Sequence, residues 1–177
     1  RKELRQLFID FLDNLYNETM TMLKSCEIDF NNPPAKAEEV ISAGDVPLGT
    51  QGNILCITGG EGTGKSNYVA ALIAGSIIKD NRTIDTLGVN VRDNSDGKAV
   101  LLYDTEQSEV QLFKNVSNLL KRAKLNEKPE ELRAFSLTGM SRKERLQAIV
   151  QSMDKYHYEY EGIRLVVIDG IADLVSS

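Results

Sequence analysis

The run Gly59-Gly60-Glu61-Gly62-Thr63-Gly64-Lys65-Ser66 constrains this chain more than any other stretch of it. It meets the pattern G-x-x-x-x-G-K-[ST] at every fixed position, and its flanks have the character that the pattern requires. Ahead of it, Asn53–Thr58 (NILCIT) is a short apolar run of the kind expected in a parallel strand buried on both faces. Behind it, Asn67–Lys79 is rich in Ala, Leu and Ile and reads as a helix. A strand, a glycine turn and a helix in that order form a cradle for phosphate. Glycines let backbone N–H groups approach without a Cβ in the way, and the helix directs its positive end at the anion. The expected contacts of a nucleoside triphosphate are therefore Gly59, Gly60, Glu61, Gly62, Thr63, Gly64, Lys65, Ser66 and Asn67. Lys65 reaches the β- and γ-phosphates in this arrangement, and the Ser66 hydroxyl ligates Mg²⁺.

The pattern continues regularly. Ala99–Asp104 (AVLLYD) predicts a second strand, and Ser108, with Gln111 three residues on, predicts a capped helix to about Lys124. Leu132–Leu137 predicts a third strand, Ser141 with Glu144 another capped helix to about Tyr156, and Arg164–Asp169 (RLVVID) a fourth strand. Strands alternating with helices of this length imply an α/β fold with a mostly parallel sheet flanked by helices. Between Val40 and Asn53, short apolar pieces separated by glycines predict a β-hairpin or an extended entry into the main domain, and a small hairpin insertion is expected around Leu87-Gly88-Val89. At the start, Leu4, Leu7, Phe8, Phe11, Leu12, Leu15, Tyr16, Met20 and Leu23 lie at helical spacing, and Asn31-Asn32-Pro33-Pro34 ends that segment. The organisation expected is an N-terminal amphipathic helix and linker over residues 1–34 and a nucleotide-binding core over 35–177. The apolar stripe of that helix suits packing on its own domain, or docking on a neighbouring subunit.

Two acids complete the candidate site. Asp169 ends an apolar strand downstream of the phosphate loop, the place of an acid that holds Mg²⁺ through water. Glu106, in Tyr103-Asp104-Thr105-Glu106-Gln107-Ser108, falls at the carboxyl end of the second strand, where ligands of open parallel sheets bind. It is the candidate for orienting and deprotonating an attacking water, with Asp104 as its rival and a solvated turn acid as the plain reading.

The bulk properties narrow the class. At 177 residues the chain suits one domain with a real core, and 41% apolar residues with 27% charged match ordinary globular proteins. No run approaches about 18 apolar residues, which excludes a membrane-spanning helix. A net charge of −5 argues against this segment alone forming a nucleic-acid-binding surface. Cys26 and Cys56 make no disulfide framework and suit reduced thiols in the cytoplasm, Cys56 within the expected buried strand. His157 stands alone as the single histidine and reads as structural. Tyr156, Tyr158 and Tyr160 suit packing beside an edge strand over base stacking, and Arg142 and Arg145 suit surface solvation over reaching a neighbouring nucleotide.

Together, GGEGTGKS, YDTEQS and LVVIDGIADLV resemble the RecA-like P-loop ATPases, and among them the RepA-type hexameric helicases and related ATPases of plasmids and mobilizable elements. The resemblance spans roughly residues 40–177. It implies ATP and Mg²⁺ as cofactors, with Ser66 and Asp169 as metal-site residues. It also implies catalysis by Glu106 and Lys65, and a homo-oligomer for which a hexamer is one form. Ring ATPases of other families place a glutamate directly after the Walker B aspartate; here that position is Gly170, which favours the RecA type. In that fold the strand between the phosphate-loop strand and the Walker B strand comes after Walker B in the chain. This chain, opening on Arg1 and stopping at Ser177, therefore reads as a fragment. Any contact with DNA, and any arginine finger, would fall to segments beyond Ser177. The function expected is ATP hydrolysis driving a DNA-acting motor in replication or mobilization. The alternatives are a nucleotide-dependent regulatory or assembly ATPase and, less favoured, a small-molecule kinase.

Overall fold

A computed structural model describes residues 2–60 and 62–175. The chain divides into two units, residues 1–36 and 37–177. The first is dominated by α1 (Lys2–Cys26), with Glu3 in its first turn and Lys24 in its last, each favourable to the helix dipole. None of its side chains is buried, and Leu4, Phe8, Phe11 and Tyr16 are all at least 60% exposed. Asp29 then closes a turn by accepting from the Asn31 N–H at 2.9 Å, ahead of Pro33 and Pro34.

The second unit holds two small sheets. β1 (Glu39–Ala43) and β2 (Val46–Thr50) form the expected antiparallel hairpin. The turn expected at Leu87-Gly88-Val89 does form, Thr86 Oγ1 donating to Val89 O at 2.5 Å, but it closes no local hairpin. It delivers β3 (Asn90–Val91) to β1 instead, Ile41 opposite Val91, so the sheet order is β2-β1-β3. Val91 is an apolar residue that needs cover, and Ile41, Leu72 and Val89 provide it.

The second sheet is parallel, in the order β5 (Leu132–Ser136), β4 (Ala99–Asp104), β6 (Ile163–Asp169). β4 is central and buried along its whole length, which is why its sequence is apolar without alternation. Its even residues, Val100 and Leu102, pack with α2 (Lys65–Ser76) and α3 (Glu109–Arg122). Its odd residues, Leu101 and Tyr103, pack with α4 (Arg142–Glu159). Each fully buried aliphatic side chain in these layers contributes roughly 1.5–3 kcal/mol. The result is helix, sheet, helix, with both inner faces filled. No helix among the described residues is long and apolar enough to cross a membrane.

Three expectations need correction. Residues 53–58 form no strand: Ile54 is 98% exposed, Cys56 is exposed, and only Ile57 reaches a core, beside Ile41 and Leu72. A strand requires a ladder partner, and among the described residues none lies beside this run. Among the described residues β6 pairs with β4 alone. Apolar composition reports the capacity for burial and leaves the partner unspecified. The capping box at α3 is half formed, because the Gln111 side chain bonds Asn115 at 2.9 Å while its backbone N–H reaches Ser108. Arg145 is not a solvated surface cation. It donates to Leu137 O at 2.9 Å and Thr138 O at 3.2 Å and pairs with Asp173, so it staples the loop before α4 to the turn after β6.

The tyrosines follow helical rather than alternating geometry. Tyr156 near the end of α4 and Tyr160 at its C-cap pack around the Arg133 guanidinium of edge strand β5, whose Nη2 donates to Tyr160 Oη at 2.7 Å. Tyr158 points away and is exposed, as is His157.

Candidate functional site

Helices α3 and α4 each begin with a serine that caps them, Ser108 and Ser141. α2 begins differently. Gly64 occupies its N-cap in the left-handed region (φ 90°), with no side-chain cap and no acid in the first turn. The first N–H groups of a helix have no partner inside it. Here, among the described residues, no side chain caps them, so the positive end of the helix suits an anion. The helix itself is held firmly, with Ala71–Ser76 all buried.

The loop ahead of α2 is organised by its own side chains. Thr63 Oγ1 donates to Gly60 O at 2.8 Å, and Lys65 Nζ donates to Gly59 O at 2.5 Å and Gly60 O at 3.1 Å. An ammonium carries three donors, so one of Lys65 remains for a phosphate oxygen. Glu61 lies outside the described residues. Asn67 accepts from Arg122 Nη2 at 2.5 Å, and Arg122 also donates to Asp85 O at 3.0 Å. This guanidinium at the end of α3 thus ties the start of α2 to the segment before β3.

Asp104 and Asp169 face each other as the last register pair of β4 and β6. Asp104 is 2% exposed, and its Oδ1 accepts from the Glu106 N–H at 3.0 Å and the Gln107 N–H at 2.8 Å. The Asp169 carboxyl is pushed above the ordinary carboxylate range by burial first and by the Asp104 charge second, against the opposing pull of Lys65 and the Gly170 N–H. Ser66, Asn67, Asp104, Asn115, Asn118 and Asp169 line one cavity of about 250 Å³ whose remaining wall is apolar side chains of α2, α3 and β4. Glu106 lies outside this lining and is exposed, its stem laid against Gly170.

A family model described as the AAA domain matches residues 17–177. The chain belongs to this family. Searches of curated proteins and of solved structures found no match. The AAA domain is of the P-loop ATPase type, which supports nucleotide-dependent ATPase activity in general.

In this AAA domain Ser66 and Asp169 are hard oxygen donors that line one cavity together with Asp104, and the expected pair could hold a Mg²⁺ that keeps its waters and phosphate ligands. Among the described residues no cluster of three His, Cys, Asp or Glu side chains could hold a metal ion. Sequence reasoning missed Arg122, Asn115 and Thr105. Arg122 and Asn115 carry no motif, and their roles follow from where α3 packs. Thr105 lay in view between two acids, but only its burial at 2% exposure singles it out.

Proposed function

We propose that this AAA domain hydrolyses ATP, with water activated by Glu106 and the triphosphate held by the 59–66 loop. The observation that carries the reading is the convergence of Ser66 and Asp169 on one cavity beneath the uncapped end of α2, beside the loop that presents Glu106. Mg²⁺ on Ser66 and Asp169 would neutralise phosphate charge. The chain's own residues do the rest. Backbone N–H groups at the α2 start and the free donor of Lys65 bind the phosphate oxygens. Glu106 orients a water in line with the γ-phosphorus and takes its proton. The new P–O bond forms while the bond to the β-phosphate oxygen breaks. Glu106 is preferred to Asp104 as the base on one ground, that Asp104 is buried and commits Oδ1 to two backbone donors while Glu106 is exposed. The DNA-directed, oligomeric role of a RepA-type motor draws its support from the sequence resemblance.

A second reading has its own support. α1 exposes an apolar stripe that includes Leu7, Phe8, Phe11 and Leu23, and such patches mark association surfaces. Nucleotide would then switch assembly without unwinding. ATP turnover measured with and without single- and double-stranded DNA separates the two readings, since a motor is stimulated and an assembly switch is not. Glu106→Gln should lower turnover about 10²–10⁴-fold with ATP binding retained, whereas Lys65→Ala should weaken binding as well. Undiminished turnover in Glu106→Gln would move the base elsewhere.

A further inference from the structure

We infer that Thr105 is a positioning residue that fixes Glu106 relative to Asp169, and that Gly170 is glycine to let it do so. This inference rests on the reading of Glu106 as the base. The β4–β6 ladder ends at the pair Asp104 and Asp169. One step beyond, a side chain continues it. The Thr105 N–H donates to Asp169 O at 3.1 Å, and Thr105 Oγ1 lies 2.8 Å from Gly170 O and 3.2 Å from Asp169 O. Thr105 is 2% exposed, so these bonds do not compete with water. Glu106 donates its own N–H to Asp104 Oδ1, and on its far side the Gln107 N–H donates to the same oxygen at 2.8 Å. The base is therefore carried on a loop pinned at both flanks.

Gly170 supplies the space. Its φ of 87° lies in the left-handed region, and a Cβ there would stand 2.3 Å from Thr105 Oγ1, 2.6 Å from Glu106 Cγ and 3.1 Å from Glu106 Cδ. Any side chain at 170 must displace either the hydroxyl or the stem of the base. Gly170 O is also the acceptor for the Asp173 N–H at 3.0 Å, which closes the turn over Ile171–Leu174. One carbonyl thus joins that turn, the end of the Asp169 strand and the loop bearing Glu106. A base displaced by about 1 Å loses on the order of 10²-fold in rate, so a clamp of this kind acts on turnover and leaves nucleotide binding alone.

The test compares Thr105→Val, Thr105→Ala and Thr105→Ser with Glu106→Gln, reading kcat and KM for ATP and the affinity for a fluorescent ATP analogue. Valine and alanine remove the hydroxyl with and without the second methyl, which guards against a packing artefact, and serine restores it. The expected result is a fall in kcat of about 10–100-fold in valine and alanine, analogue affinity within about twofold of the unaltered chain, and kcat largely recovered in serine. Unaltered kcat in valine and alanine, with Glu106→Gln inactive, overturns the clamp and leaves Glu106 as the base. A parallel loss of analogue affinity and kcat reduces Thr105 to a structural residue and overturns it too. Full activity in Glu106→Gln overturns the underlying assignment instead.

Discussion

Gly75→Ala sets two well-characterised effects against each other at the buried end of α2. In a helix interior, alanine is favoured over glycine by about 0.8–1 kcal/mol, and propensity alone predicts a stabilised protein. Packing predicts the reverse. A Cβ on Gly75 would stand 2.9 Å from Val91 Cβ and 3.3 Å from both of its γ-carbons. Val91 Cβ is fixed to the β3 backbone and cannot rotate away, so β3 or α2 has to move. Overpacking of this kind costs about 1–3 kcal/mol. With Gly75 in the last turn the helical gain is at its smallest, and a net loss of about 1–2 kcal/mol is expected. For a chain of this size that corresponds to a fall of about 2–8 °C in Tm. A urea titration followed by tyrosine fluorescence and circular dichroism should show a lower midpoint with an unchanged slope. Adding Val91→Ala removes the two γ-carbons but keeps the Cβ at 2.9 Å, so the double variant should stay less stable than Val91→Ala alone, by less than Gly75→Ala costs by itself, a favourable coupling of about 0.5 kcal/mol. A higher midpoint in Gly75→Ala would refute the argument, because propensity would then have outweighed the close approach of helix and strand.

Two aspartates should give opposite pH slopes. Burial and the Asp104 charge raise the Asp169 carboxyl, so its contribution to stability is present below the ordinary carboxylate range and lost as pH rises through its folded value. Asp169→Asn should therefore raise Tm near neutral pH, with the gain vanishing in acid, while Mg²⁺-dependent turnover is lost; a lowered neutral Tm would contradict this. At Asp96, burial acts to raise the carboxyl, but hydrogen bonds from Arg164 and Lys98 outweigh it and hold it low. Its stabilisation is present above the ordinary range and lost as pH falls. Asp96→Asn should cost about 1–3 kcal/mol near neutral pH by stranding the Arg164 side chain, which is 5% exposed. A Tm deficit that persists unchanged into strong acid would argue against the charge as its source.

What could be read from the chain and what could not divide along a physical line. β4, α3, α4 and β6 were legible because their signals are local: alternation-free apolar runs, serine caps and helical spacing act within a few residues. The 59–66 loop was legible because backbone geometry there demands particular residue types. Pairing was not. Asn90–Val91 joins β1 across nearly fifty residues, and residues 53–58 have the composition of a strand without a ladder. Within the site, the proximity of Asp169 to Asp104 follows from strand register, which sequence spacing does not encode. The same holds for Arg145, whose four acceptors and partners lie on two different loops.

The exposed run at residues 53–58 also bears on how this chain behaves in solution. It carries no charge and no proline, it is rich in β-branched and aliphatic side chains, and Ile54 is almost wholly accessible. Short segments of this composition are the ones that stack into cross-β assemblies. β6 adds a sheet edge that no described strand covers, and uncovered edges accept strands from other molecules. Concentration should therefore work against the isolated chain. Its shelf life would be set by strand exchange between molecules, and a charged residue at Ile54 would lengthen it without touching a packed side chain.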